Sequence, residues 1–199
     1  MWFFQEITLH PTEEIAESFL LAKIYARIHV ALVNSKDEKG AIHCGLSFPE
    51  YTEDPKSLGK KIRILTQDED VLKKMDIPSV LSRFVEGGYV HISPARVVPI
   101  KRVKRYAIYS RYQPEASNER KARRYAKRHD ISVEDAAKFF SAKEKPVIYP
   151  YIQLKSMTTG QRFSLFIRKS ILENHPAEEK TNPCFSAYGI SPDAAVPEF

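Results

Sequence analysis

The sequence predicts an α+β protein, and three observations carry that expectation. Strand-like and helix-like runs alternate in the order β-α-β-β-α-β over roughly residues 2 to 99, the ferredoxin-like pattern of a sheet with both helices on one face. From residue 100 the character changes to a basic linker, a strongly basic helix and a pair of strand-like runs. At 199 residues, 43% hydrophobic and 28% charged, the chain has the composition of a folded protein and the length for one large or two small domains. The expected division is a ferredoxin-like domain over 1–99 and a smaller domain over 100–199 built from the basic linker, the arginine-rich helix and a β-hairpin.

Residues 2 to 9 read as a strand because Phe3, Ile7 and Leu9 fall on one side at period two. Thr12 can cap a helix whose start holds Glu13, Glu14 and Glu17, acids that suit its positive end. Ile15, Phe19, Ala22, Ala26 and Val33 then form an apolar stripe, with His29 in it. "AIHCGLSF" and "KKIRILTQ" are strand-like runs that can pair as a hairpin across the turn-rich "PEYTEDPKSLG". "DEDVLKKMDIPSVLSRF" reads as a short helix interrupted at Pro78, and "GGYVHISPARVVP" as a further strand. In the second half "VIYPYIQLKS" and "QRFSLFIRKSIL" flank "MTTG" as a hairpin, and "CFSAYGIS" is expected to add a short strand.

The net charge of +6 is unevenly spread. Segment 101–130 holds eleven Lys/Arg against Glu115, Glu119 and Asp130, so it carries +8 and the remainder −2. Basicity this local is the footprint of a polyanion partner rather than a general bias. Cys44 and Cys184 lie far apart and outside any C-x-x-C spacing, so neither a disulfide framework nor a zinc site is suggested, and a reducing cytoplasm is the expected setting. The opening "MWFFQEITLHPTEE" lacks the basic and apolar regions of a secretory leader, and no apolar run of about 18 residues exists to span a bilayer.

The charge concentrates in "SNERKARRYAKRHD", residues 117–130. At helical spacing Arg120, Arg123, Arg124, Lys127 and Arg128 share one face, with Lys121 beside them, while Ala122, Tyr125, Ala126 and His129 point elsewhere. A merely solvated helix intersperses its signs, whereas this face gathers like charges that repel by a few tenths of a kcal/mol per pair. Arginine predominates, and a planar guanidinium bridges phosphate oxygens bidentately. The face opposite offers Ala and Tyr, too little apolar surface to enter a membrane.

"RIHVAL" and "GLSFP" in the first half, followed in order by "SRYQ", the basic helix, "LKSMTTGQRFSLFIR" and "FSAYGIS", resemble the CRISPR-associated endoribonuclease of type I-F systems. The resemblance implies a metal-independent cut of precursor CRISPR RNA on the 3′ side of the repeat stem-loop, leaving a 2′,3′-cyclic phosphate and a 5′-hydroxyl. It also implies retention of the product hairpin, assembly with the other subunits of the type I-F surveillance complex, and a chain that is monomeric when alone. Carried over residue by residue, His29, Ser156 and Tyr188 match the catalytic positions. Arg111 and Gln113 match the linker pair that reads bases beneath the stem, Phe163 the aromatic on the terminal base pair, and the basic helix the one in the groove of the hairpin. Lys155 adjoins Ser156, and Thr158 stands where the family has a second serine. A Pro-containing segment alters the spacing between Arg111 and Ser117.

Such a cut deprotonates a 2′-hydroxyl, aligns it with phosphorus and stabilises the charge that develops. A histidine suits the first task and a hydroxyl such as that of Ser156 the second. His10, His43, His91, His129 and His175 fall in no recognisable motif. The acids at 68–70 diverge around a helix and fit its start better than a two-metal site, so neither metal nor other cofactor is expected. A noncatalytic module that holds structured RNA is the alternative reading, and a DNA-binding protein a weaker third.

Overall fold

The computed structural model describes residues 1–114, 118–140, 148–156, 158–172 and 182–199, and for 118–120 the backbone only. Along the chain run β1 (Phe3–Leu9), α1 (Glu17–Asn34), β2 (Cys44–Ser47), the short pair β3 (Thr52–Glu53) and β4 (Lys56–Ser57), and β5 (Lys61–Thr66). Next come α2 (Glu69–Met75), α3 (Ile77–Val80), α4 (Ser82–Glu86), β6 (Val90–Ile92), β7 (Arg96–Val97) and β8 (Arg105–Tyr112). The remainder is α5 (Asn118–His129), α6 (Val133–Lys138), β9 (Tyr151–Lys155), β10 (Arg162–Leu172) and β11 (Val196–Glu198). Two compact units result, one of Met1–Tyr112 with Tyr149–Phe199, the other Gln113–Ile148.

The larger unit holds two sheets. The first has the order β2-β5-β1-β6 with every neighbour antiparallel, and β7 continues beside β1 past β6. Alternation sets its register: Ile7 faces Ile62 across the β1–β5 pair, both fully buried. The second sheet has the order β11-β8-β10-β9. Its β9–β10 pairing across residues 156–161 is a hairpin, and β8 lies between β10 and β11. One apolar core joins the two sheets, running from Ile7, Ile24 and Leu46 to Tyr109, Leu165 and Val196.

Several expectations need correction. Helix α1 starts at Glu17 rather than Thr12, whose hydroxyl instead accepts from the Ile15 N–H at 3.2 Å in a local turn. Its buried stripe is Leu20, Leu21, Ile24, Tyr25, Ile28, Ala31 and Leu32, while Phe19 is 57% exposed and Ala26 is also outside. Each fully buried Ile or Leu there contributes about 1.5–3 kcal/mol, which outweighs the single Phe left in water. The 68–84 run breaks at Asp76, which takes a left-handed φ of 41°, and Pro78 sits harmlessly in the first turn of α3. "GGYVHISPARVVP" splits into β6 and β7 around Pro94.

In the second half, β8 is a full strand where a linker was expected. "CFSAYGIS" is not a strand: Phe185 makes one isolated bridge to Ile42, and the chain then turns at 187–189. The strands of the first sheet all precede residue 99 and those of the second all follow it, and the chain divides into its compact units at 113 and 148.

The smaller unit packs α5 on α6 through Ala122, Ala126 and Ala136, with Tyr125 and Phe140 against them. Ser132 caps α6 by accepting from the Asp135 N–H at 3.0 Å. Small residues at i and i+4 let the two helices approach closely and leave the opposite face of α5 for its cations.

Candidate active site and nucleic-acid interface

Helix α1 carries Tyr25 and His29 four residues apart, hence on one face, and both reach the turn at 186–189. The Tyr25 hydroxyl donates to the Tyr188 carbonyl at 2.7 Å. Burial pushes the Tyr25 phenol far above its ordinary pKa, with the neighbouring Tyr188 adding to the effect, so it stays a donor. His29 Nδ1 lies 2.7 Å from the Ala187 carbonyl. A carbonyl oxygen only accepts, so Nδ1 must carry the proton, and in the neutral ring Nε2 keeps its lone pair. The Tyr188 ring stacks on the imidazole at 4.7 Å between centroids and 12° between planes.

The turn that supplies Ala187 and Tyr188 is closed on itself and tied to the first sheet. The Ser186 hydroxyl accepts from the Tyr188 N–H at 3.3 Å, and the Gly189 N–H donates to the Ser186 carbonyl at 2.8 Å. Gly189 adopts φ +67°, and its carbonyl receives the Leu46 N–H at 2.7 Å. A Cβ at this position would lie 2.5 Å from Leu46 Cγ, so glycine is required for both conformation and space.

Two more of the expected residues converge on Tyr188. Arg111, at the end of β8, holds its guanidinium 5.9 Å from the centroids of both Phe163 and Tyr188. Those two rings meet edge to face at 6.3 Å and 73°. Phe163 pairs with Leu154 across the β9–β10 hairpin, so the tip of the hairpin, the end of β8 and the 186–189 turn share one neighbourhood with α1.

Ser156 begins the hairpin turn. Its N–H donates to the Gln161 carbonyl at 2.8 Å, and its hydroxyl oxygen accepts from the Thr159 N–H at 3.1 Å, leaving the hydroxyl proton to donate elsewhere. Ser156 is half-buried, and Lys155 and Thr158 on either side are exposed. His29 and Ser156 are not hydrogen-bonded to one another, although α1 packs on β9, which ends just before the serine.

In the smaller unit Gln113 is exposed, and Arg123, Arg124, Lys127 and Arg128 project from α5 into solvent. None of these four has an ion-pair partner among the described residues. Lys121 is half-buried, and the Arg120 side chain lies outside the described residues.

His43 contacts Asp37 at 3.1 Å, His129 stacks on Tyr125 at 4.1 Å, His10 and His91 are exposed, and His175 lies outside the described residues. Asp68 caps α2, while Glu69 and Asp70 pair with Lys73, so the acids at 68–70 are spent on the helix. Sequence reasoning missed Tyr25 and Ala187. The i, i+4 spacing of Tyr25 to His29 was the available signal for the first, whereas a backbone carbonyl leaves no signal at all.

A family model described as CRISPR-associated protein (Cas_Csy4) matches residues 4–199. The chain belongs to this family. It is 31% identical over 195 residues to the CRISPR-associated endonuclease Cas6/Csy4 of Pseudomonas aeruginosa (strain UCBPP-PA14), covering 98% of this chain and 97% of that one. It is 28% identical over 195 residues, with the same coverage, to the protein of that name from Escherichia coli (strain UTI89 / UPEC). A solved chain titled "CRISPR associated protein Cas6" aligns over 99% of this chain and 98% of its own at 12% identity and a TM-score of 0.34, too distant to bear on the site. Among the described residues of this Cas_Csy4 family member, no helix is long and apolar enough to cross a membrane.

Proposed function

We propose that the chain is the endoribonuclease that cuts precursor CRISPR RNA at the 3′ side of the repeat stem-loop, without metal, leaving a 2′,3′-cyclic phosphate and a 5′-hydroxyl. The observation that carries the chemistry is the Nδ1–H of His29 held by the Ala187 carbonyl, which leaves Nε2 as the acceptor a general base needs. Nε2 takes the proton of the 2′-hydroxyl, the 2′-oxygen bonds to phosphorus, and the 5′-oxygen leaves with its electron pair and is protonated. Tyr188 keeps the imidazole plane fixed by stacking, and the Ser156 hydroxyl positions the attacking ribose. Arg111 stabilises charge or reads a base at the foot of the stem, with Gln113 as its reading partner, and Phe163 offers its ring to the terminal base pair.

The cations of α5 hold the hairpin. Arg120, Lys121, Arg123, Arg124, Lys127 and Arg128 supply the phosphate contacts, with Lys155 and Thr158 near the cut. This division keeps holder and cutter separate, so the enzyme can remain on its product and carry it into the type I-F surveillance complex as a single protomer in the cytoplasm. The strand order and pairing of the first sheet support the ferredoxin-like reading of residues 1–99, and residues 100–199 supply the RNA-binding part.

The deciding experiment is cleavage of a repeat hairpin in excess EDTA, with and without a single 2′-deoxy substitution just before the cut. Cleavage in EDTA that stops with the deoxy substrate is the expected result, and cleavage that needs Mg²⁺ or survives the substitution sinks the mechanism. The exposed Arg123, Arg124, Lys127 and Arg128 equally suit a noncatalytic RNA holder, and that reading requires no cutting by the unaltered chain under any condition.

A further inference from the structure

A second recess lies away from the His29 cluster, on the first sheet. It is a cavity of about 430 Å³ lined by Phe4, Glu6, Arg63, Arg96, Arg102 and Phe199, with Ser93, Val97 and Pro99 at its margin. Phe4 and Glu6 alternate along β1 with buried Gln5 and Ile7, so they stand on the other face of the strand.

The charges of this recess are unequally spent. Glu6, the one acidic side chain in the lining, is taken by Arg63 Nε at 2.7 Å and Lys61 at 3.7 Å. Arg63 also donates to the Phe199 backbone oxygen at 2.7 Å and lies 4.0 Å over the Phe199 ring, so it is a structural part of the floor. Arg96 and Arg102 are exposed and have no ion-pair partner among the described residues. Beside them Val97 is 48% and Ile100 76% exposed.

The backbone adds a third observation. Arg96 and Val97 form β7, which among the described residues pairs with β1 alone, so its outer edge is a free edge of the sheet. We infer that this edge and recess dock an extended, acidic-apolar segment of a protein partner, which adds a strand beside β7. Its carboxylates meet Arg96 and Arg102, and an apolar side chain covers Val97 and Ile100. Nucleic acid fits less well, because the Phe199 ring already carries Arg63 over its face and Phe4 at 4.8 Å in edge contact, leaving no open platform for a base. No residue of the recess belongs to the His29 cluster.

The test uses the full chain and two probes: an array of decapeptides alternating Asp or Glu with Val, Ile or Phe, and decauridylate. The expected result is a set of retained peptides whose affinity falls at least about tenfold in R96E/R102E, falls less in I100S, and is unchanged in R123E/R124E. Peptide-induced amide shifts in NMR spectra then cluster at residues 90–102, and R96E/R102E keeps the thermal midpoint and hairpin cleavage rate of the parent. Failure to retain any peptide, or retention insensitive to R96E/R102E, overturns the inference. So does decauridylate binding or hairpin cleavage that is lost in R96E/R102E, since the recess then belongs to the RNA path.

Discussion

The hydroxyl of Tyr25 is hydrogen-bonded to the carbonyl of Tyr188, and the ring of Tyr188 lies on His29, one helical turn along from Tyr25. One helix face therefore grips the same turn at two points, once through a phenol and once through an imidazole. Tyr25 is fully buried, so its hydroxyl has no water to turn to in place of that carbonyl.

Tyr25→Phe removes only the donor. It is expected to cost about 0.5–1.5 kcal/mol in urea denaturation, the net worth of one hydrogen bond. Because the turn then holds His29 less firmly, single-turnover cleavage slows while hairpin affinity stays the same. Unchanged cleavage would show that the grip on Tyr188 has no bearing on chemistry.

His29→Ala is expected to lower the single-turnover cleavage rate roughly a thousandfold, the usual worth of a general base. Hairpin affinity, and its dependence on salt, should match the parent in filter binding. A loss of binding would move His29 from cutter to holder.

Gly189→Ala tests the turn through its backbone. The added Cβ meets Leu46 Cγ at 2.5 Å and Leu32 Cδ1 at 3.1 Å, at a φ of +67° that alanine avoids. A loss of about 2–4 kcal/mol is expected from clash and strain together, read as a lower urea midpoint with unchanged slope.

Glu198 sets an acid limit on stability. Burial pushes its carboxyl up, but hydrogen bonds from Lys169 at 2.7 Å and Tyr109 at 2.6 Å, with Arg105 at 3.1 Å, win and hold it below the usual range. A carboxyl whose pKa is lowered on folding stabilises fully above its unfolded value of about 4.3, and loses that contribution as pH falls through the lower folded value. Glu198→Gln is therefore expected to melt earlier at pH 7 and to lose less on acidification than the parent. Equal acid sensitivity of the two proteins would remove Glu198 from the account.

Arg123→Glu and Arg124→Glu should weaken binding to every hairpin sequence alike. Each is expected to reduce the slope of log affinity against log salt by about one. A preference altered for one base, with the slope kept, would make these residues readers of sequence instead.

Much of the fold was legible where packing is local. β1, the β2–β5 pairing, α5 and the β9–β10 hairpin all follow from periodicity and turn residues. β8 was hidden because it lies between two strands, and Tyr106, Ala107, Tyr109 and Ser110 are buried on both faces, so no alternation marks it. The stripe of α1 was placed on the wrong phase because this helix packs on β9 as well as on the first sheet, and its buried arc is wider than a single stripe. In the site, His29, Tyr188, Arg111 and Phe163 were named from the resemblance, and their convergence is a product of tertiary structure. Tyr25 falls outside the apolar stripe expected for α1. The Ala187 carbonyl, identical to that of any other residue, could be found only in three dimensions.

The contact between His29 and Ala187 spans 158 positions. A ribosome emits the chain in sequence order, so the imidazole emerges well before its partner carbonyl. Until that carbonyl follows, nothing fixes which ring nitrogen bears the proton. The tautomer of this imidazole is thus set by a turn 158 positions further on, and not by the helix that carries it.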